Sequence, residues 1–564
     1  MSQIPLFEVA ATHPGSTAVV DQSGEHSYDW LERRSRLRAS QLLGDRADLQ
    51  ETRVAFLMEP GLEYVVTQWA IWRAGGVAVP LSPHHPVPEL AHVVDDSGAA
   101  ILLAADGLEQ RLRPLADERG LAFRAIPRGG YDVRPILPLM TGEERASASV
   151  DDEPRPLPDV SLERRASILY TSGTTGRPKG VVSTHAALDA QMRAIVDAWE
   201  WVDSDRILHV LPLHHTHGIV VALGCALYVG AAVEFAPFEP IDVWNRLASG
   251  AVTVFMGVPT MYVKLLRAWE EADDFTRIRW SRGARRLRLA TSGSAALPSS
   301  VFERWEEVTG RRLLERYGMT EIGMALSNPY DGDRRPGTVG QPLPGIDLRL
   351  VRPDDGRVIA EGLDVRASGH TAGEAESGEI RVRGEGVFSE YWGQPEETAA
   401  SFVDGWFMTG DEAVVEDGYY RILGRRSVDI LKSGGYKISA VEIEELLRAH
   451  PGVRDCAVVG LPDEEWGERI AAAVVTEEGA WFVPDLSPPG ARGFAERSLA
   501  VKTVLEPWLR ERLAGYKIPR AWRCVDDLPR NTMGKVRKPA VRELFGIAAA
   551  DSDPSSGAAG GDVE

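Results

Sequence analysis

Short apolar runs alternate with longer amphipathic stretches in the first part of the chain. The runs at 54–58, 77–81 and 100–104 are almost wholly apolar, which is typical of strands buried on both faces. Between them, residues 62–74 and 88–96 repeat apolar positions every three to four residues, which predicts helices. Strands that alternate with helices indicate an α/β fold with a mainly parallel sheet.

From Gly378 onward the pattern changes to short strands separated by glycine. Segments 378–384, 405–410 and 418–424 predict a β-rich subdomain. Beyond Arg425 the sequence predicts a compact α+β unit, with a helix at 441–449 and strands at 456–461 and 469–476. We therefore expect the α/β class: a large N-terminal domain of parallel-sheet α/β layers plus a β-rich subdomain, followed by a small, mobile α+β C-terminal domain.

The domain boundaries follow from these changes of pattern. We predict an N-terminal domain over 1–424, a hinge at 425–429 and a C-terminal domain over 430–546. The tail 547–564 is small, acidic and rich in glycine and serine, so we expect it to be disordered. Surface positions are predicted for the proline-bearing connection 141–165 and for the insertions 353–376 and 479–493.

Composition and charge exclude several classes of partner. The chain has 564 residues, with 63 basic against 83 acidic side chains and a net charge of −20, which repels nucleic acid and anionic membranes. Residues 218–233 are apolar but fall short of the ~20 needed to span a bilayer, so they predict a buried helix that leads into a core strand. The first twenty residues match neither a secretory signal nor a transit peptide, and we expect a cytoplasmic location.

The cysteines fit neither a disulfide framework nor a zinc site. Cys225, Cys456 and Cys524 are far apart, odd in number and without C-x-x-C spacing. We predict buried free thiols.

The strongest local signal is residues 168–182, ILYTSGTTGRPKGVV. Its glycines allow backbone N–H groups to approach an anion, its hydroxyls add donors, and Lys179 adds a positive charge, so the segment suits polyphosphate. It is not a Walker A motif, because Pro178 precedes the lysine and no Ser or Thr follows it. The alternative interpretation is a flexible Gly/Thr turn between two strands.

This segment and those that follow it resemble the adenylate-forming superfamily of acyl-CoA synthetases, peptide-synthetase adenylation domains and luciferases. The resemblance runs from about Phe7 to Phe545, because further signatures follow in order: 315–321 (ERYGMTE), 378–384 (GEIRVRG), 409–411 (TGD), 423–425 (LGR), 433–436 (SGGY), 441–444 (VEIE) and 529–535 (PRNTMGK). It implies activation of a carboxylic acid by ATP, with Mg²⁺, followed by transfer to coenzyme A.

The resemblance also implies the roles of individual residues. Lys535 is the catalytic lysine, Thr320 contacts the α-phosphate and Glu321 holds Mg²⁺. Tyr317 stacks on adenine, and Asp411 and Arg425 bind the ribose hydroxyls. The remaining ATP-binding positions are Thr171, Ser172, Gly173, Thr174, Thr175, Gly176, Lys179 and Gly318.

A small domain that carries Lys535 is expected to rotate between the two half-reactions. The hinge segment is one residue longer than the common form, so Ser427 or Asp429 is the candidate pivot. In the thioester conformation, the pantetheine path is expected to be lined by Ser433, Gly434, Gly435 and Tyr436.

Two segments bear on the acid that is activated, 211–218 (LPLHHTHG) and 288–298 (RLATSGSAALP). A second carboxylate needs a fixed cation, and Arg288 precedes an apolar run that leads to Ser292, so we expect its side chain to reach the cavity. The alternative places Arg288 on a solvated face with the basic run 277–288. The histidines could also form a metal cluster, although complementary carboxylate spacing is absent.

Together these segments are similar to the malonyl-CoA synthetase branch. That resemblance implies that Arg288 binds the distal carboxylate, that His217 and Ser292 lie beside the substrate, and that Thr216 and Met319 limit its size. We expect an ATP-dependent malonate:CoA ligase with partial acceptance of methylmalonate. Its partners would be small molecules only, namely malonate, ATP and CoA, and its state a monomer or weak homodimer.

Three alternatives remain open at this point. The enzyme could activate another short carboxylic acid, or it could load a carrier protein as stand-alone adenylation enzymes do. A nucleotide-binding scaffold without chemistry is disfavoured by the presence of Lys535, Glu321 and Asp411.

Overall fold

The computed structural model describes residues 4–127, 156–171, 178–362, 364–365, 376–426, 429–433, 436–463, 466–477, 494–513, 515–530 and 535–546. The chain divides into two compact units. The first comprises Met1–Ser172, Pro178–Thr409 and Ala413–Arg421, and the second comprises Gly173–Arg177, Gly410–Glu412 and Ile422–Glu564.

The largest sheet of the first unit has nine strands among the described residues, and its six central strands are parallel. Antiparallel strands close both edges. In spatial order the strands are Gln341–Pro342, Gly323–Ser327, Leu314–Met319, Leu289–Ser292, Val254–Gly257, Arg206–His209, Ala232–Phe235, Thr17–Asp21 and Gly24–Ser27.

A second sheet of the first unit has seven described strands and contains the strands expected from the apolar runs. Five of them are parallel, and two antiparallel strands follow at one edge. The order is Glu390–Tyr391, Lys179–Thr184, Arg165–Thr171, Val77–Leu81, Arg53–Leu57, Ile101–Ala105 and Ala122–Ile126. The expected α/β fold with mainly parallel sheets is confirmed.

Helices connect these strands and bury their apolar faces. Trp69, for example, is buried on the helix predicted at 62–74, which the structure places at Leu62–Arg73. The described helices of this unit are Pro5–Thr12, Tyr28–Leu43, Leu62–Arg73, Val87–Ser97, Glu109–Arg119, His185–Ala198, His217–Gly224, Cys225–Tyr228, Pro240–Ser249, Pro259–Glu271, Asp274–Ala284, Ser299–Thr309 and Pro395–Ala400.

The predicted β-rich subdomain is present as a third sheet. Its described strands are Asp364–Val365, Val358–Glu361, Asp347–Val351, Gly378–Arg383, Trp406–Glu416 and Phe402–Val403, with Tyr419–Arg425 paired to Trp406–Glu416. Part of the insertion predicted at 353–376 therefore adds two strands at one edge of this sheet. Residues 366–375 and all of 479–493 lie outside the described residues.

The second unit has the predicted α+β character. The described strands Tyr436–Ser439, Ile430–Ser433, Gly467–Thr476, Val453–Asp463 and Ala521–Cys524 form one sheet. The helices Ala440–Arg448, Phe494–Arg510 and Lys538–Glu543 and the 3₁₀ turn Gly515–Lys517 belong to this unit. The predicted tail lies outside the described residues, and whether the unit moves stays a prediction.

The apolar stretch at 218–233 folds as predicted. It forms the helices His217–Gly224 and Cys225–Tyr228 and then enters the buried strand Ala232–Phe235. Across the described ranges, we find no helix with both the length and the apolar character that crossing a membrane requires. All three cysteines are buried free thiols, as predicted.

One expectation for the connection 141–165 needs correction. Residues 128–155 lie outside the described ranges, but Val160 is buried and Arg164 forms an ion pair with Asp48 at 2.7 Å. The end of this segment is therefore part of the packed unit, because it leads directly into the strand that begins at Arg165.

Candidate active site

The carboxyl edge of the nine-stranded sheet collects the polar residues of the predicted acyl pocket. Parallel α/β sheets bind ligands at this edge, where the loops after the strands converge. His209 ends one strand there, and its Nε2–H donates to the carbonyl of Gly218 at 2.9 Å. Burial lowers the pKa of His209 to about 4, so the ring is neutral at physiological pH. This contact fixes the start of the next helix.

That helix, His217–Gly224, has π-helical hydrogen bonding, which is often found at functional sites. A Cβ on Gly218 would lie 2.2 Å from the carbonyl oxygen of Pro212, so the close turn requires glycine. The turn directs His217 into the interior, where its Nδ1 lies 3.4 Å from Ser294 Oγ. Burial, and then the charge of Arg316, hold the pKa of His217 well below its usual range. His217 is therefore neutral.

Arg316 is a buried cation on a neighbouring strand of the same sheet. It lies on the strand Leu314–Met319 and is 4% exposed, and the guanidinium covers Gly293, whose ideal Cβ would lie 2.5 Å from Arg316 Cζ. Burial lowers the pKa of Arg316 to about 10, while Tyr262 and Glu315 raise it, so the group stays charged at neutral pH. Among the described residues, its Nε and Nη2 have no hydrogen-bond partner. A buried cation with two open donors favours an anionic ligand.

Further polar atoms with open hydrogen-bonding capacity lie on the same segments. Within the described part of the chain, Thr216 Oγ1, Ser292 Oγ and His217 Nε2 are buried without a hydrogen-bond partner. Met319 ends the strand that carries Arg316. Four of the five predicted substrate residues, His217, Thr216, Ser292 and Met319, thus lie on segments at the carboxyl edge of one sheet.

The fifth predicted substrate residue, Arg288, is placed elsewhere, and its assignment is corrected. It directly precedes the strand Leu289–Ser292, so it lies at the amino edge of the sheet, whereas Ser292 lies at the carboxyl edge. Its Nε donates to Asp205 Oδ1 at 2.6 Å, its Nη2 also binds Asp205, and its Nη1 donates to the carbonyl of Trp199 at 2.9 Å. The solvated alternative is not correct either, because the guanidinium is engaged in a mostly buried ion pair.

We expect Arg288→Ala to lower stability and to spare catalysis. The carboxylate of Asp205 is 2% exposed, so removal of its partner leaves a buried charge uncompensated, at a cost of ~3–5 kcal/mol. Chemical denaturation of the variant should show this loss, while kcat/KM for malonate of the folded enzyme changes little. The exposed Arg282→Ala serves as the control, with no expected effect on either quantity. A selective loss of malonate use in Arg288→Ala would restore the original assignment.

The predicted phosphate loop lies between two antiparallel strands of the second sheet. Thr171 ends one strand, Lys179 begins the next, and the two are paired in register. Ser172, Gly173, Thr174, Thr175 and Gly176 lie outside the described residues. Thr171 and Lys179 themselves lie at one end of this strand pair.

Glu321 is held close to this strand pair. Glu321 is buried in the turn after Met319, where Tyr391 Oη donates to its Oε1 at 3.1 Å. Within the described ranges, no group of three or more His, Cys, Asp or Glu side chains could hold a metal ion on its own. One buried carboxylate suits Mg²⁺ that takes its other ligands from phosphate and water.

The remaining nucleotide residues of the first unit follow one another in the ERYGMTE segment. Tyr317 is half-buried on its strand, and Thr320 lies in the turn that leads to Glu321. A Cβ on Gly318 would lie 2.1 Å from the carbonyl oxygen of Gly323, so the tight hairpin requires glycine there.

In the second unit, the predicted ribose residues are in direct contact. Arg425 Nε donates to Asp411 Oδ1 at 2.9 Å, and the backbone N–H of Arg425 donates to Asp429 Oδ2 at 3.1 Å. Lys535 lies within the electrostatic influence of these groups. Its side chain keeps solvent access, yet the surrounding protein atoms and then Arg425 lower its pKa, while Asp429 and Asp411 raise it.

The predicted CoA residues are only partly described. Ser433 is buried, and its Oγ has no hydrogen-bond partner among the described residues. Tyr436 begins the strand Tyr436–Ser439, and Gly434 and Gly435 lie outside the described ranges.

Comparison with known proteins decides the family. The AMP-binding enzyme family matches residues 6–392, and the AMP-binding enzyme C-terminal domain matches residues 442–535. The chain belongs to the AMP-binding enzymes. The predicted membership of the adenylate-forming superfamily is thereby confirmed.

Several relatives of this AMP-binding enzyme are malonate ligases. It is 44% identical to human mitochondrial malonate–CoA ligase ACSF3 over 96% of this chain and 92% of that one. It resembles ATP-bound MatB from Rhodopseudomonas palustris, with a TM-score of 0.78, 33% identity and coverage of 97% and 99% of the two chains. A malonyl-CoA ligase complex with methylmalonyl-CoA and AMP gives a TM-score of 0.61 at 34% identity, covering 93% and 100%. The expected likeness to the malonyl-CoA synthetase branch is confirmed.

Sequence reasoning missed Arg316, Tyr391 and Glu397 in this AMP-binding enzyme. Arg316 stands inside a recognised signature, and the available signal was a basic residue in the middle of a strand that begins with an apolar residue. Tyr391 and Glu397 are distant in sequence from the residues they contact, so no local pattern identified them.

Proposed function

We propose that the protein is an ATP-dependent malonate:CoA ligase. It is an AMP-forming acyl-CoA ligase of the AMP-binding family, and its relatives named as malonate ligases match nearly its whole length. The observation that carries the choice of substrate is Arg316, a buried guanidinium with two open donors beside the neutral His217. A short dicarboxylate supplies one carboxylate for this cation and a second for activation.

We propose that Arg316 takes the role first given to Arg288. Its Nε and Nη2 would bind the distal carboxylate as a fork, which gives both charge compensation and orientation. His217, Ser292 and Thr216 would offer hydrogen bonds to the same substrate. Met319 and Thr216 would limit the group at its second carbon.

The reaction proceeds in two steps. In the first, an oxygen of the proximal carboxylate forms a bond to the α-phosphorus of ATP and the bond to pyrophosphate breaks. In the second, the sulfur of CoA forms a bond to the acyl carbon and AMP leaves. In-line phosphoryl transfer is accelerated mainly by positioning and charge neutralisation, which is the task of this chain's residues.

We assign the nucleotide residues as the sequence suggested. Lys179 and Thr171 support the β- and γ-phosphates, Thr320 donates to the α-phosphate and Tyr317 stacks on adenine. Asp411 and Arg425 bind the ribose. Glu321 would hold Mg²⁺, which when bound neutralises phosphate charge. Lys535 would hold the attacking carboxylate against the α-phosphate, and Ser433 would lie on the pantetheine path.

A substrate panel tests this function. Pyrophosphate release should be fastest with malonate, slower with methylmalonate by a factor within about 10–200, and weak with acetate, succinate and octanoate. Thioester yield with CoA should exceed that with a phosphopantetheine-bearing carrier protein. A preference for octanoate or acetate contradicts the dicarboxylate proposal. A higher thioester yield with the carrier protein would show that the carrier protein, and not CoA, is the acyl acceptor. A cytoplasmic location and a monomeric or weakly dimeric state stay predictions, tested by fractionation and light scattering.

A further inference from the structure

The phosphate-loop lysine already has an anionic partner in this structure. Lys179 Nζ donates to Glu397 Oε1 at 2.5 Å. Lys179 begins the strand Lys179–Thr184, and Glu397 lies on the helix Pro395–Ala400, so the contact joins residues more than two hundred positions apart. The lysine side chain is 15% exposed, and that of Glu397 is 47% exposed. One partner is thus fixed and mostly buried, while the other reaches out into solvent.

An aromatic ring provides a second contact for the same ammonium group. Lys179 Nζ lies 5.5 Å from the ring centroid of Tyr391, within the range of a cation–π interaction. Tyr391 is fixed by its pairing with Val181 and by the hydrogen bond of its hydroxyl group to Glu321. The ring therefore keeps Lys179 in position independently of Glu397.

The two contacts differ in whether they are compatible with a bound polyphosphate. A neutral ring face does not repel phosphate oxygens, whereas a carboxylate on the same ammonium group competes with them and repels them. Glu397 has a half-exposed side chain, and within the described ranges Lys179 is the group that its carboxylate binds. Rotation of this side chain into water releases the ammonium at low cost.

We propose that Glu397 is a displaceable counter-ion of Lys179, and that the polyphosphate of ATP takes the place of its carboxylate while Tyr391 retains the ammonium. This inference rests on the proposed function, in which Lys179 binds the β- and γ-phosphates. Its consequence is that Glu397 weakens nucleotide binding and holds the lysine neutralised between turnovers.

Isothermal titration of MgATP, without malonate or CoA, tests the proposal. Glu397→Gln keeps the shape of the side chain and removes its charge. The dissociation constant of this variant for MgATP should fall about two- to five-fold, as expected for loss of a partly exposed ion pair. Glu396→Gln is the matched control, because it removes the same charge from the same helix at an exposed position without a contact to Lys179. Its affinity should equal that of the wild type.

A second pair of variants assigns the effect to Lys179. In a Lys179→Met background, adding Glu397→Gln should lower the dissociation constant by less than it does in the wild type, because the competing contact no longer exists and only direct repulsion of the phosphates remains. Unchanged or weaker MgATP binding by Glu397→Gln overturns the proposal, as does an equal gain in Glu396→Gln. Failure of the wild type to bind MgATP would instead refute the proposed function, so the two failures are distinguishable.

Discussion

Arg316→Met is expected to abolish most malonate use while leaving the protein folded. The variant removes the buried guanidinium that would compensate the distal carboxylate, so kcat/KM for malonate should fall about 10²- to 10³-fold, equivalent to ~3–4 kcal/mol. For propionate, which has no second carboxylate, kcat/KM should fall little or even rise. Pyrophosphate release with the two acids measures both effects.

Arg316→Met should not lower the free energy of unfolding, in contrast to Arg288→Ala. In the described part of the chain, Arg316 Nε and Nη2 have no hydrogen-bond partner, and replacement of a buried charged side chain by an apolar one is often neutral or stabilising. Chemical denaturation should therefore show an unchanged or higher free energy of unfolding. Arg316→Lys is the conservative control and should recover part of the malonate activity. Unaltered malonate kinetics in Arg316→Met would contradict the assignment.

Lys535→Ala is expected to suppress adenylation and to spare the second half-reaction. The side chain is exposed, and Lys535 directly precedes Val536, which forms a bridge with Arg530, so loss of the lysine side chain should not unfold the unit. Removal of one positioned cation from a phosphoryl-transfer site should slow malonyl-adenylate formation about 10²- to 10³-fold. Rapid-quench measurement of pyrophosphate release checks this step. Thioester formation from supplied malonyl-adenylate and CoA checks the second.

The matched control for Lys535 lies in the same unit. Lys517→Ala removes a lysine of equal charge whose Nζ binds the carboxylate of Glu442 at 2.8 Å, remote in sequence from the ERYGMTE and phosphate segments. It should change neither half-reaction. Equal losses in both half-reactions of Lys535→Ala would show that the residue supports the fold of the unit or both steps, and not adenylation specifically.

Most of the fold was predictable from local patterns. The buried strand Val77–Leu81, the helix Leu62–Arg73 and the helix Ala440–Arg448 all lie within a residue or so of their expected positions. The apolar residues of these elements recur at the positions that the structure buries, so local preference and tertiary packing agree. The last part of the segment 141–165 was expected on the surface because its composition is polar. The structure buries Val160 of this segment.

The candidate site was only partly predictable. Lys179, Glu321, Asp411 and Lys535 stand in signatures whose residue order is specific, so the sequence alone was enough to name them as candidates. The prediction that Arg288 reaches the substrate cavity was wrong, because a position before an apolar run is compatible with either edge of a sheet. The strand direction and the position of Asp205 decide that edge, and neither can be read from residues 288–298 alone.

The sequence by itself determined that this is an acid-activating ligase, because its signatures and its alternating strands and helices are properties of adjacent residues. Only the tertiary structure decided which arginine is buried near His217, and that Glu397 and Tyr391 meet at Lys179. The physical reason is that compensation of a buried charge depends on distances between groups far apart in the chain. Arg288 forms its ion pair with Asp205, whereas two nitrogens of Arg316 have no hydrogen-bond partner among the residues that the structure describes.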